Sequence, residues 1–317
     1  MEIVSLTLLL QILVPVAVIV WVALARGRGS VALLVDVMLA ASIIVLAAVS
    51  GLWLAAPWHT PHVLAVLLAI AAVTAIVRCS SARPGAQRSR VRSWVGPGIR
   101  LAVLLPVLVL TAYAIASRRP VAGPAVDLAF PLAGGTWIVA NGGSGNLTNA
   151  HVLTLEGDRY RNWRGQSHAV DIVKVGGWGT RRAGLAPRDP ADYAAFGEPV
   201  LSPCTGTVVI ARDGLPDMSP PEMDLVNVEG NHVILDCGGT WIVLAHFVCG
   251  SVAAREGDTV RTGDFIARLG NSGRSDEPHL HIHAQTPGTR DAPLGGDPLP
   301  MRFDGRQLVR NERIGGG

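Results

Sequence analysis

The stretch Pro278-His279-Leu280-His281-Ile282-His283 decides how the rest of the chain is read. On a strand, alternate side chains share a face, so the three imidazoles point the same way. Three neutral imidazoles together make a poor core and a good metal claw. Turn residues bracket the stretch, Asn271-Ser272-Gly273 before it and Thr286-Pro287-Gly288 after it, which fits a short strand.

Outward from this strand, seven of the nine histidines fall in the C-terminal part: His151, His168, His232, His246, His279, His281 and His283. Asp171 lies in an apolar run at 169–173. A carboxylate on a strand of that kind needs a partner, and a metal is one. His246 ends the run Ile242-Val243-Leu244-Ala245 and can stand at the rim of a groove. Any one of these alone reads as a hydrogen-bonded structural residue. Together, an early His and Asp with a late His-x-His form a mixed N/O set suited to zinc, with an open position for water. The early histidine has two candidates. His168 is three residues before Asp171, which puts the two on opposite faces of a regular strand unless a bulge intervenes. Ser167, four before, is a poor ligand. The face argument favours His151, in Asn149-Ala150-His151.

From residue 118 onward Gly, Pro, Asp and Thr rise and apolar runs shorten to five or six residues. Runs at 136–140, 152–155, 169–175, 206–211, 232–236, 240–245, 264–269 and 279–284 predict an all-β sandwich or barrel without a 10-residue helical period. Two inserts interrupt it, 176–196 and 213–225. The second holds Pro216, Pro220 and Pro221 and reads as a surface loop or a lid over a cleft.

Residues 135–290 resemble the lysostaphin-type (LytM-like) zinc metallopeptidases. The resemblance rests on eight stretches in order: Gly197 to Pro203, Gly206-Thr207-Val208-Val209, Gly230-Asn231-His232-Val233-Ile234, Leu244-Ala245-His246-Phe247, Val252 to Asp258, Val260-Arg261-Thr262-Gly263, Gly270-Asn271-Ser272-Gly273 and Pro278-His279-Leu280-His281. It implies an antiparallel β-sandwich of the LytM type with a zinc groove that hydrolyses peptide bonds of bacterial peptidoglycan. It also implies His281 and Asp171 as zinc ligands, with His246 and His279 acting on the reacting groups. The usual His-x-x-x-Asp is absent. Some relatives pair an Asn-x-His with a Gln-x-x-Ala-x-Asp element, here Gln166 to Asp171, which favours His151 over His168 as the remaining ligand. His283 lies one position beyond the motif and is expected at the rim or behind a ligand.

The front of the chain differs. Hydrophobic residues make up 49% of the 317, with a mean hydropathy of +0.37. The excess lies in four runs, 3–25, 31–56, 62–77 and 101–116, which predict four transmembrane helices within 1–117, a linker at 118–134 and an outer peptidase-like domain at 135–317. The first run is too long, and too poor in basic residues at its start, for a cleaved signal peptide. Arg26, Arg28, Arg78, Arg83, Arg88, Arg90, Arg92 and Arg100 flank the runs in two links, and the link 56–61 has no Lys or Arg. The positive-inside rule places both Arg-rich links in the cytoplasm and everything past 118 outside a bacterial cytoplasmic membrane, against the smaller weight of Arg118 and Arg119. Asp36 within the second run pairs with Arg100 or snorkels.

Cys204, Cys237 and Cys249 then face an oxidising space, where one disulfide and one free thiol fit; Cys79 lies inside. No Cys-x-x-Cys spacing supports a thiolate zinc site. A net charge of +3, with its densest arginines beside a membrane run, argues against nucleic-acid binding. The expected partners are peptidoglycan peptides and the lipid bilayer. The leading expectation is a membrane-anchored zinc endopeptidase. A non-cleaving wall-binding or hydrolase-binding module, and a membrane sensor of wall fragments, are the alternatives, and the short inside loop argues against the sensor.

Overall fold

A computed structural model describes residues 6–25, 29–54, 56–80 and 90–315, the side chains of 90–97 excepted. Arg26, Arg28, Arg83 and Arg88, on which the expected orientation rests, lie outside the described residues, as do the side chains of Arg90 and Arg92. The chain divides into two compact units, Met1–Ala116 and Ser117–Gly317.

The first unit is helical: α1 (Val14–Ala23, preceded by a π-helical stretch Leu9–Leu13), α2 (Ser30–Ser50), α3 (Thr60–Ser80) and α4 (Arg90–Ser117). Segments Leu6–Ala23, Ser30–Ser50, Thr60–Ser80 and Gly98–Ser117 are long and apolar enough to cross a membrane. Alanines at buried positions (Ala40, Ala47, Ala71, Ala75) let backbones approach, while Val31, Leu34, Val66, Val73 and Val109 face outward. The second run ends earlier than its apolar length, at Ser50. A side chain on the next residue, Gly51, would sit 2.3 Å from the Ala47 carbonyl oxygen. The third outlasts its charge-free stretch because Arg78 remains helical and donates to the Ala23 carbonyl at 2.5 Å. The buried Asp36 carboxylate meets Arg100 Nε at 2.7 Å, and the guanidinium lies 5.7 Å from the Trp21 ring centroid.

The second unit is built on one antiparallel sheet in the order β13-β2-β3-β10-β7-β6-β5-β8, with β11 also on β10. The strands are β1 (Val126–Leu128), β2 (Thr136–Asn141), β3 (Val170–Val175), β4 (Pro199–Leu201), β5 (Gly206–Arg212), β6 (Asn231–Asp236), β7 (Trp241–Phe247), β8 (Thr259–Val260), β9 (Phe265–Arg268), β10 (Leu280–Gln285), β11 (Pro298–Leu299), β12 (Met301–Phe303) and β13 (Arg313–Gly315). Two small sheets, β4-β9 and the parallel pair β1-β12, lie against the same core as the main sheet. Period-2 alternation explains the central strand: Leu280, Ile282 and Ala284 enter the core with Ile172, Leu244 and Val139, while His281, His283 and Gln285 take the other face. That second face is also buried, because Trp163 and Leu294 pack over Ile234 and Val243 beside it. Cys204 and Cys237 form a disulfide, and Cys249 is exposed and free.

Three expectations are corrected. Residues 152–155 are not a strand: Ala150–Thr154 is a 3-10 helix whose cap, the Asn149 side chain, accepts from the His151 N–H. The β region does contain a long helical stretch, the 3-10 helix Asp158–His168, which is strongly polar and therefore lacks an apolar helical period. The 118–134 segment carries β1, whose register with β12 (Val126 opposite Met301) depends on residues 175 positions away and leaves no local pattern.

Candidate metal centre

Register builds the site. On β3 and β10, Asp171 stands directly opposite His281, and on β7 Ala245 stands opposite His281 from the other side. Directly opposed residues on neighbouring strands share a face, so the carboxylate meets the imidazole, with Oδ1 3.0 Å from Nδ1. His151 reaches the other oxygen from its 3-10 turn, with Nε2 2.9 Å from Asp171 Oδ2. The cap that makes this turn also fixes it to the sheet, since Asn149 Nδ2 donates to the carbonyls of Gly143 and Ala169. Ligand atoms of His151, Asp171 and His281 lie within 4.8 Å of one another, as do those of His246, His279 and His281. His168 does not join either group. It sits at the end of the second 3-10 helix, in a separate small cavity with Val121, Gly143, Pro300 and Gln307.

His246 occupies the left-handed region at φ 70°, a costly conformation for a residue with a Cβ and one common at functional positions. Its Nδ1 lies 2.8 Å from the Ser272 carbonyl, and His279 Nδ1 lies 2.8 Å from the Glu277 carbonyl. A carbonyl only accepts, so both Nδ1 atoms carry the proton and both Nε2 atoms are bare. The two rings are 4.8 Å apart by centroid, and His279 Nε2 is 3.6 Å from Asp171 Oδ1. These side chains line one cavity of about 300 Å³, with Tyr160, Glu229, Arg274 and Asp276 further along it.

Burial favours neutral rings at His246 and His281 beside the Asp171 anion. Burial alone would raise the Asp171 carboxyl, but the facing His151 and His279 imidazoles and the hydrogen bond from His151 hold it well below the usual carboxylate range. Burial, then repulsion from His279 and His281, pushes His246 well below 6.5. Burial also lowers His281, against the attraction of the Asp171 anion. Glu229 and Asp276 are raised, both chiefly by burial.

Sequence reading missed Asn141 and Arg310. Asn141 Nδ2 donates to Asp171 Oδ2 at 2.8 Å, and Arg310 Nη2 donates to Asn141 Oδ1 at 2.5 Å. Burial, and then the neighbouring Arg181, lowers Arg310 to about 10. A β-bulge between Val139 and Asn141 brings the amide opposite Asp171, and no sequence pattern marks that bulge.

Comparison with known proteins finds a family match for part of the second unit. The model of Peptidase family M23 matches residues 188–293, less than half of the chain. His246, His279 and His281 fall inside the match; His151 and Asp171 precede it. Among solved structures, the catalytic domain of the antimicrobial peptidase lysostaphin from Staphylococcus simulans is 20% identical, over 39% of this chain and 71% of that one, with a TM-score of 0.25. A zinc-containing peptidase from Vibrio cholerae is 17% identical over 46% and 48% of the two chains, with a TM-score of 0.23. The catalytic domain of a prophage-encoded M23 protein from Enterococcus faecalis is 26% identical over 31% and 71%, with a TM-score of 0.19. No curated protein matches the chain by sequence.

Proposed function

We propose that residues 117–317 form a zinc-dependent endopeptidase that hydrolyses peptide bonds of peptidoglycan, held at the outer side of a bacterial cytoplasmic membrane by the four apolar helices. The observation that carries the reading is the convergence of His151 Nε2, Asp171 and His281 Nδ1 beside two imidazoles with bare Nε2 atoms.

The donor set fits zinc: two imidazole nitrogens and one carboxylate, with a groove on the open side. His151, Asp171 and His281 would hold the ion, which supplies Lewis acidity toward a peptide carbonyl and its attacking water. The remaining work belongs to the chain. Asn141 and Arg310 orient the Asp171 carboxylate. The bare Nε2 atoms of His246 and His279 face the groove, where one takes the proton of the attacking water. The imidazolium so formed hydrogen-bonds the developing oxyanion or returns the proton to the leaving amine. Their backbone-anchored Nδ1 atoms keep both rings in that tautomer.

The test is metal analysis of the full chain together with digestion of purified muropeptides. One zinc per chain and chelator-sensitive cleavage are expected. A full zinc complement with no cleavage would favour the binding module instead.

A further inference from the structure

Along β10, below the proposed metal centre, runs a closed chain of polar contacts. His281 Nε2 lies 3.0 Å from His283 Nδ1, His283 Nε2 lies 3.1 Å from Gln285 Oε1, and Gln285 Nε2 donates to the Pro293 carbonyl at 2.7 Å. His283 is 1% exposed and Gln285 0%. The Gln285 amide sits in a cradle that only glycine leaves room for. A side-chain carbon at Gly165 would lie 1.8 Å from Oε1, and one at Gly296 would lie 2.9 Å from Nε2. The proton transfers assigned to His246 and His279 use neither His283 nor Gln285.

The chain has a direction. The Pro293 carbonyl can only accept, so the amide nitrogen of Gln285 faces it and the amide oxygen faces His283. That oxygen also only accepts, so His283 carries its proton on Nε2 and is bare at Nδ1. A bare His283 Nδ1 requires the proton of His281 on Nε2. His281 is then left with a lone pair on Nδ1, 3.0 Å from an Asp171 oxygen that also only accepts. Two acceptors at that separation repel, and a cation between them relieves the repulsion.

We propose that His283 and Gln285 are positioning residues: through the Pro293 carbonyl they lock His281 in the Nε2–H tautomer, so that Nδ1 is the metal-binding atom. The proposal rests on the zinc site proposed above. Groups behind a metal-bound histidine typically change metal affinity by about 10–100-fold when removed.

The test compares full-length wild type, His283→Leu, His283→Gln and Gln285→Met in detergent micelles. Zinc affinity is read by competition with a chromogenic chelator, and ring protonation by ¹⁵N-histidine long-range NMR correlations. Zinc affinity should fall about 10–100-fold in His283→Leu and Gln285→Met. It should stay near wild type in His283→Gln, whose amide oxygen accepts from His281 while its nitrogen donates to Gln285. Zinc-loaded wild type should show His281 and His283 protonated at Nε2. Unchanged affinity in His283→Leu, or a His283 protonated at Nδ1, overturns the relay. Equal weakening in His283→Leu and His283→Gln, with matching losses of melting temperature, assigns His283 to packing and also overturns it. A wild type that binds no zinc overturns the metal centre itself, an outcome distinct from these.

Discussion

Asp171 and His281 stand directly opposite each other on neighbouring antiparallel strands, with Oδ1 3.0 Å from Nδ1. The contact is a consequence of register. A slip of one residue would turn His281 toward the core and Leu280 toward the face that carries Asp171. The apolar alternation of β10 therefore fixes the site: burying Leu280, Ile282 and Ala284 obliges His281 to meet the carboxylate.

The early ligand can be decided by metal content. His151 Nε2 is 2.9 Å from Asp171 Oδ2, whereas His168 lies in a different cavity. His151→Ala should drop from one zinc per chain to a small fraction, and His168→Ala should keep most of it. Atomic absorption on both variants checks this. Loss of zinc in His168→Ala alone would reverse the assignment.

Much of this arrangement is legible in the sequence, and the illegible parts have a common cause. Short runs bounded by turn residues mark β2, β3, β6, β7 and β10, because most of their residues are buried. The His151 turn is not marked, since Val152, Leu153 and Leu155 suit a strand as well as a helix, and the deciding event is one side-chain cap at Asn149. Asn141, Arg310 and Gln285 act through partners that are distant in the chain or at unexceptional spacing, so their roles emerge only from the folded geometry. Nor does spacing choose Cys237 over Cys249 as the partner of Cys204; sheet position does.

Acid should destabilise the metal-free protein in a defined window. Burial, then repulsion from neighbouring histidines, holds His246 and His283 well below 6.5 in the folded state. The unfolded chain takes up protons near 6.5, so below that pH it binds more protons than the folded chain does. The stability from keeping these rings neutral is thus fully present above 6.5 and is lost as pH falls. Each such ring contributes a slope of about 1.4 kcal/mol per pH unit until its folded value is reached. Asp171 adds a second loss at lower pH, because its depressed folded value contributes stability above 3.8 that disappears on acidification. Thermal melts of chelator-treated protein from about pH 8 to about pH 5 should show a falling midpoint. A flat profile would contradict the neutral, buried state of these rings.

Orientation in the membrane can be read with reporters. The arginines of the links at 26–28 and 78–92 predict both links inside and residue 125 outside. A periplasmic-type reporter fused at 125 should be active and one fused within 78–92 silent. The opposite pattern would remove the cell wall as substrate, whatever the metal content.

Chemistry and metal binding should separate between two pairs of histidines. His151 and His281 contact Asp171, so replacing either removes a donor. His246 and His279 are anchored through Nδ1 to the carbonyls of Ser272 and Glu277, and that anchoring does not depend on a metal. Their Nε2 atoms are free for substrate. His246→Ala and His279→Ala should therefore retain zinc while losing about 10²–10⁴-fold in cleavage rate, the usual weight of one acid–base or oxyanion-stabilising group. The loss should fall on kcat more than on KM, because the proton moves only in the transition state. His281→Ala should lose zinc and cleavage together. If His279→Ala cleaves at the wild-type rate, His279 is not a catalytic group. If His246→Ala or His279→Ala loses zinc while His151→Ala keeps it, the ion sits on the other set of three histidines, His246, His279 and His281.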